Sequence, residues 1–312
     1  MKGYVWLGLS IVFFISAVTT ISYTRSDVDA TSGCSQPMPL YSLGGLVLVV
    51  LFFGLGFMCF TNYFFGYKTA IHIIGVIPER MASSRFPGKP LAKINGIPMV
   101  EHVWRNAKKC KSLEEVYVCS PDTEIIDYVT SICGKAILTK TFNRASDQVA
   151  YAVERLEFWK HKYDIIVMIQ GDEPLVTPEM IDEALQPLIK GEATVSNLMA
   201  PIQTKKDELD KNTIKVVTDL KGDALYFSRQ SIPSGLALGF KQVCIIPFTR
   251  EALFKFQTLP PTTYEQSESV DMMRLVENGI KVKMVKTATE THSVDVPKDI
   301  KVVERMMKCK QS

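Results

Sequence analysis

The junction at Ile77 constrains this chain most. Before it, residues 70–77 (AIHIIGVI) form a short apolar run with β-branched residues, the pattern of a parallel strand buried on both faces. After it the polarity flips: Arg80, Ser83, Ser84, Arg85, Gly88 and Lys89 place three cations, two hydroxyls and a glycine within ten residues. Open α/β sheets bind ligands beyond the carboxyl ends of their strands, so this loop, stiffened by Pro87 and Pro90, reads as a polyphosphate cradle. A solvated surface loop has the same composition; the position after a first strand favours the cradle. It is not a Walker loop, which needs glycine at Ser83 and Ser or Thr at Pro90, and no GxGxxG is present.

Downstream the chain alternates. Residues 99–109, 123–132 and 146–159 read as helices and 115–119, 135–138 and 164–170 as strands, which predicts a parallel sheet. Residues 212–218 and 224–228 read as a hairpin, 242–248 as one strand, 250–257 and 264–278 as helices, 281–286 as a strand, and a last helix closes at Met307. The apolar strand at 164–170 (DIIVMIQ) ends abruptly in Gly171-Asp172-Glu173-Pro174. A carboxylate there shares the sheet edge with the basic loop, where Asp172 can hold Mg2+ on a triphosphate. A turn that opens a helix uses the same residues, and the spacing leaves both readings open.

Four strings carry a resemblance: IPERMASSRFPGKPL at 77–91, QGDEP at 170–174, YFSRQSIP at 226–233 and VDVPKD at 294–299. They resemble motifs of the 3-deoxy-manno-octulosonate cytidylyltransferases (CMP-Kdo synthetases) and, more distantly, of CMP-sialic acid synthetases and other sugar nucleotidyltransferases. The resemblance runs from about residue 74 to residue 307. It implies an α/β fold with a Rossmann-like, mostly parallel sheet of the nucleotide-diphospho-sugar transferase type. The reaction it implies joins CTP to a 3-deoxy-2-ulosonic sugar acid, giving a CMP-sugar and pyrophosphate. In that reading Arg80, Lys89, Asp172 and Asp295 form the catalytic set, with Asp172 and Asp295 as the Mg2+ ligands. Pro78, Arg80, Ser83, Ser84, Lys89, Ser146 and Gln170 bind the nucleotide, and Arg85, Arg229, Gln242 and Glu265 the sugar acid. The resemblance also leaves a homodimer open.

Two family motifs are altered. The string HxSGT(D/E)R, which reads cytosine and ribose, stands here as FNRASDQ at 142–148, so Asn143, Arg144, Ser146, Asp147 and Gln148 remain to hydrogen-bond a nucleotide. The sugar-pocket string (R/K)HxGxYxY stands as KQVCIIPF at 241–248, with Gln242 for the histidine and Ile246 for the first tyrosine. These exchanges point to an acid other than Kdo itself. A non-catalytic, membrane-tethered homologue that binds nucleotide or sugar is the competing expectation, and the intact Arg80, Lys89, Asp172 and Asp295 favour the enzyme.

The first 68 residues differ in kind. No charge occurs between Lys2 and Arg25 or between Asp29 and Lys68, and residues 4–23 and 41–64 are long enough to cross a bilayer. The expectation is a two-helix membrane anchor at 1–68 and a cytidylyltransferase-like catalytic domain at 69–312, with a cleaved signal peptide as the alternative for the first span. One cation in the connecting loop, Arg25, against Lys2, Lys68, Arg80 and Lys89 outside it predicts a two-pass membrane protein whose catalytic domain faces the cytoplasm. A net charge of +3 without a basic stripe argues against nucleic acid as a partner. Seven cysteines without a CxxC and four dispersed histidines suggest neither a disulfide framework nor an imidazole metal site.

Overall fold

A computed structural model describes residues 71–83, 85–159, 162–234 and 239–309. The chain divides after Lys68, and the fold described is that of the second unit, Thr69–Ser312. In order it contains β1 (Ile73–Pro78), a 3-10 turn (Lys89–Leu91), β2 (Lys93–Ile94), β3 (Ile97–Pro98), α1 (Met99–Ala107), β4 (Glu115–Ser120), α2 (Thr123–Ser131) and β5 (Lys135–Leu138). There follow α3 (Ala145–Trp159), β6 (Ile165–Ile169), α4 (Pro178–Ile189), β7 (Ser196–Pro201), α5 (Lys205–Leu209), β8 (Lys215–Thr218) and β9 (Ala224–Ser228). The chain closes with β10 (Phe240–Val243), β11 (Ile245–Thr249), α6 (Arg250–Thr258), α7 (Thr263–Glu268), α8 (Met272–Glu277), β12 (Lys283–Lys286) and α9 (Pro297–Cys309).

Two five-stranded sheets result. The first runs β11-β6-β1-β4-β5 and is parallel except for β11. Its central strands β1 and β6 are buried on both faces, and the side-chain alternation of a strand divides them between two cores. β1 sends Ile73 and Ile77 to a cluster with Val103 of α1, Val129 of α2 and Ile181 of α4. It sends Ile74 and Val76 to a second cluster with Val149 and Val153 of α3 and Phe256 of α6. The helices therefore cover both faces, which leaves the strand ends as the open edge.

The second sheet runs β12-β7-β10-β8-β9 and is antiparallel except where β12 joins β7. The mostly parallel expectation thus holds for the first sheet alone, and the architecture is α/β with mixed sheets. The single strand expected at 242–248 is two strands in different sheets, split at Cys244. There the backbone bonds sideways to the loop after β6: Cys244 N–H donates to Glu173 Oε1 at 3.3 Å, and Gln170 N–H donates to the Cys244 carbonyl at 3.0 Å. The single helix expected at 264–278 is also two, because Ser269 takes a left-handed conformation at φ +53°. The sequence reading passed over α4, β7 and α5 altogether.

The two-pass membrane localisation is corrected. No helix among the described residues is long and apolar enough to cross a membrane. The two uncharged runs that prompted the expectation lie outside the described residues.

Candidate active site

At the carboxyl edge of the first sheet, the loop after β1 folds back on itself. Gly88 N–H donates to the Met81 carbonyl at 3.1 Å and Phe86 N–H to Ser83 Oγ at 3.3 Å, while Met81 N–H is held by Asp122 at 2.7 Å. Gly88 sits at φ +71°, a conformation a side chain resists, and delivers Lys89 as the first residue of the 3-10 turn. Lys89 Nζ then reaches Asp172 Oδ2 at 2.8 Å and the Val294 carbonyl at 3.1 Å. Arg85 Nη2 lies 2.8 Å from Asp295 Oδ1, and its Nη1 donates to Asn212.

The two carboxylates, distant in the chain, are joined by backbone. Val294 N–H donates to the Asp172 carbonyl at 2.9 Å, so the segment before α9 is pinned to the loop after β6. Asp299, in the first turn of α9, accepts the N–H groups of Asp295 and Val296, each at 2.9 Å. Close approach also explains Gly171: a Cβ there would lie 1.7 Å from Glu79 Oε1.

Charge is concentrated here. Burial, then the negative charge of Asp172, raise the Asp295 carboxyl above its ordinary value, with Arg85 and Lys89 opposing them. Burial works against the Lys89 ammonium, and Asp172 with Glu79 and Asp295 together more than offset it, so the lysine stays charged. Two glutamates flank the pair. Glu79 is buried with Oε1 unpaired, and burial pushes its carboxyl up to about 8. Glu173 is pushed up to about 7 by burial and by Asp172, though Thr291 Oγ1 donates to it at 3.1 Å.

A cavity of about 160 Å³ opens beside these groups, lined among others by Arg85, Gln170, Asp172, Arg229, Gln242 and Asp295. Arg229 is held by main-chain carbonyls: its Nε donates to that of Glu268 at 2.6 Å and its Nη1 to that of Lys211 at 3.0 Å. Other predicted site residues do not line it. Pro78 is buried in β1, Arg80 is exposed, Ser83 serves the loop, and Ser84 is outside the described residues. Ser146 is buried and donates to Asp271 Oδ2 at 2.9 Å. Gln148 is likewise buried, donating to the Cys119 carbonyl at 3.0 Å. Glu265 is fully buried, 2.7 Å from Arg274 Nη2 and 3.0 Å from Arg144 Nε. Sequence reasoning missed Asn212, Lys241 and Thr291 in the lining. Only Lys241, inside the altered sugar-pocket string, carried a signal.

Among the described residues no group of three or more His, Cys, Asp or Glu is close enough to hold a metal. Two carboxylates lining one cavity, Asp172 and Asp295, fit a hard divalent cation that takes its other oxygens from substrate phosphates and water. Burial first, and then the negative charge of Asp172, raise the Asp295 carboxyl, and the second of these is a like-charge cost that such an ion would relieve.

A basic loop, paired carboxylates and a cavity at the open edge of a mostly parallel sheet define a nucleotide-binding α/β protein. The chain belongs to the family described as Cytidylyltransferase, which matches residues 74–286. It is 38% identical over 254 residues to the 3-deoxy-manno-octulosonate cytidylyltransferase of Geobacter sulfurreducens, covering 76% of this chain and 100% of that protein. The enzyme of the same description from Geotalea daltonii is 39% identical over 252 residues, covering 75% and 98%. A solved structure of CMP:2-keto-3-deoxy-manno-octonic acid synthetase complexed with CTP matches with a TM-score of 0.68 at 32% identity, covering 77% of this chain and 99% of that one.

Proposed function

We propose that the chain transfers the cytidylyl group of CTP to 3-deoxy-manno-octulosonic acid (Kdo), releasing pyrophosphate. One observation carries this reading: two carboxylates that line one polar cavity, Asp172 and Asp295, are each paired with a cation of the basic loop. The anomeric hydroxyl of the acid forms the new bond to the α-phosphorus as the bond to the bridging oxygen breaks. Lys89 and Arg80 neutralise the triphosphate, and Arg85 and Arg229 meet the sugar carboxylate. Asp172 and Asp295 would hold Mg2+, which would supply a lowering of the charge at the reacting phosphorus. No covalent intermediate is needed, since positioning and fixed charge supply the acceleration.

The expectation that Gln242 and Ile246 turn the site away from Kdo is not adopted. Relatives matched over their whole length bear the Kdo description, and Gln242 keeps a polar group in the cavity. Pyrophosphate release from CTP and Mg2+ with a panel of sugar acids tests the proposal. Release that depends on the acid, with Kdo giving the highest kcat/KM, is expected. No release with any acid leaves a binding protein instead.

A further inference from the structure

Lys215, the first residue of β8, is fully buried, and the proposed chemistry makes no use of it. Its Nζ donates to three main-chain carbonyls, those of Thr213 at 2.7 Å, Arg229 at 2.8 Å and Asp210 at 2.9 Å. An ammonium has three N–H bonds and no lone pair, so three carbonyls saturate it, whereas a neutral amine would turn a lone pair on one of them. Burial pulls this ammonium below its ordinary value, with the Asp210 charge opposing. Such a charge is costly to bury, and what it gathers lies at the cavity.

The three carbonyls belong to two segments. One is the loop at 210–213, where the Lys211 carbonyl accepts from Arg229 Nη1 at 3.0 Å and Asn212 Oδ1 accepts from Arg85. The other is Arg229 itself, whose N–H donates to Glu268 Oε2 at 2.8 Å and whose Nε donates to the Glu268 carbonyl at 2.6 Å. Each residue of the loop thus turns an acceptor toward a cation: Asp210 and Thr213 toward Lys215, Lys211 toward Arg229 and Asn212 toward Arg85. Asp210, Asn212, Thr213, Arg229 and Arg85 line the cavity, and Lys215 stands behind them.

We infer that Lys215 is a positioning residue for the acceptor end of the site: without touching substrate, it fixes the 210–213 loop and the Arg229 backbone so that both arginines are set in advance for the sugar carboxylate. The inference rests on the proposed cytidylyl transfer to Kdo. Lys89 and Asp172 are held by other bonds, so loss of Lys215 falls on the acid and spares the nucleotide.

The test is steady-state kinetics on the full chain with CTP, Mg2+ and Kdo, alongside thermal melting. Lys215→Met keeps the length of the side chain and removes its three donors. Its KM for Kdo is expected to rise about tenfold, with the KM for CTP within about twofold and kcat within about threefold. Lys215→Gln, with two donors in place of three, should fall between. Added to Arg229→Met, Lys215→Met should raise the Kdo KM by less than about twofold more, because a residue that acts through Arg229 then has nothing left to position. A packing role alone would lower the melting temperature and leave the Kdo KM of the folded protein unchanged, which overturns the inference. An equal rise in the KM for CTP overturns it too, as do effects of the two substitutions on the Kdo KM that multiply in full, or failure of both Lys215 variants to fold. Each of these leaves the proposed function standing, whereas no pyrophosphate release by the unaltered chain overturns both.

Discussion

Asp172 and Asp295 are held in place by different means, Asp172 by Lys89 and Asp295 by Arg85, yet both serve one charge cluster. Replacing either with Asn keeps its shape and removes a charge. Asp172→Asn and Asp295→Asn should each lower turnover at saturating CTP and Mg2+ by a factor on the order of 10² or more. The double variant should be scarcely worse than either single one, and near-normal turnover in a single variant would sink the assignment. Glu79 predicts a pH effect on stability instead. Its carboxyl titrates near 4.5 when unfolded and near about 8 in the fold, so between those values the folded state holds the extra proton. Stability from this group is present below about 4.5 and is lost as pH rises toward about 8. Glu79→Gln cannot ionise, so its unfolding free energy should gain on that of the unaltered protein between pH 5 and 8.5, by an amount on the order of 4 kcal/mol. Parallel pH curves for the two proteins would refute this.

At the level of elements, α9 shows how a helix start serves a site. Its first-turn Asp299 accepts the N–H of Val296, at the helix's N-cap, and that of Asp295 just before it, fixing the backbone that carries a carboxylate. Asp299→Ala should cost about 1–2 kcal/mol, a few degrees in melting temperature, and should raise the Mg2+ concentration needed for half-maximal turnover. Asp299→Asn keeps an acceptor oxygen and should lose less on both counts. If Asp299→Ala melts lower with an unchanged Mg2+ requirement, the cap supports the helix and not the site.

Across the whole unit, one buried ionic network ties the two sheets together. Arg274 of α8 reaches Glu265 of α7 at 2.7 Å and Asp147 of α3 at 3.1 Å, and Arg144 joins Glu265 from the other side at 3.0 Å. Helix α3 packs on the first sheet, whereas α8 packs on β9 of the second, where Phe227 N–H lies 3.3 Å from Met273 Sδ. Removing one partner of such a network strands the others. Glu265→Gln should therefore cost about 3–5 kcal/mol of stability, and protein that remains folded should keep its KM for Kdo. A normal melting temperature with a raised Kdo KM would return Glu265 to the sugar site.

What was legible in the sequence was local. Apolar runs at β1 and β6 announced strands buried on both faces, because periodicity and polarity are properties of neighbouring residues. The basic loop and the QGDEP string stood at strand ends for the same reason. The sheet change at Cys244 and the break at Ser269 left no such mark, since a cross-chain hydrogen bond and a left-handed residue produced them. Nor could spacing tell that Glu265 is enclosed by two arginines while Gln242 faces the cavity. The sequence by itself determined that β1 and β6 are buried strands and which residue types reach the edge of the first sheet. Only the tertiary structure decided which carboxylates meet, because the Val294–Asp172 backbone bond and the ion pairs beside it join segments with no local relation to one another.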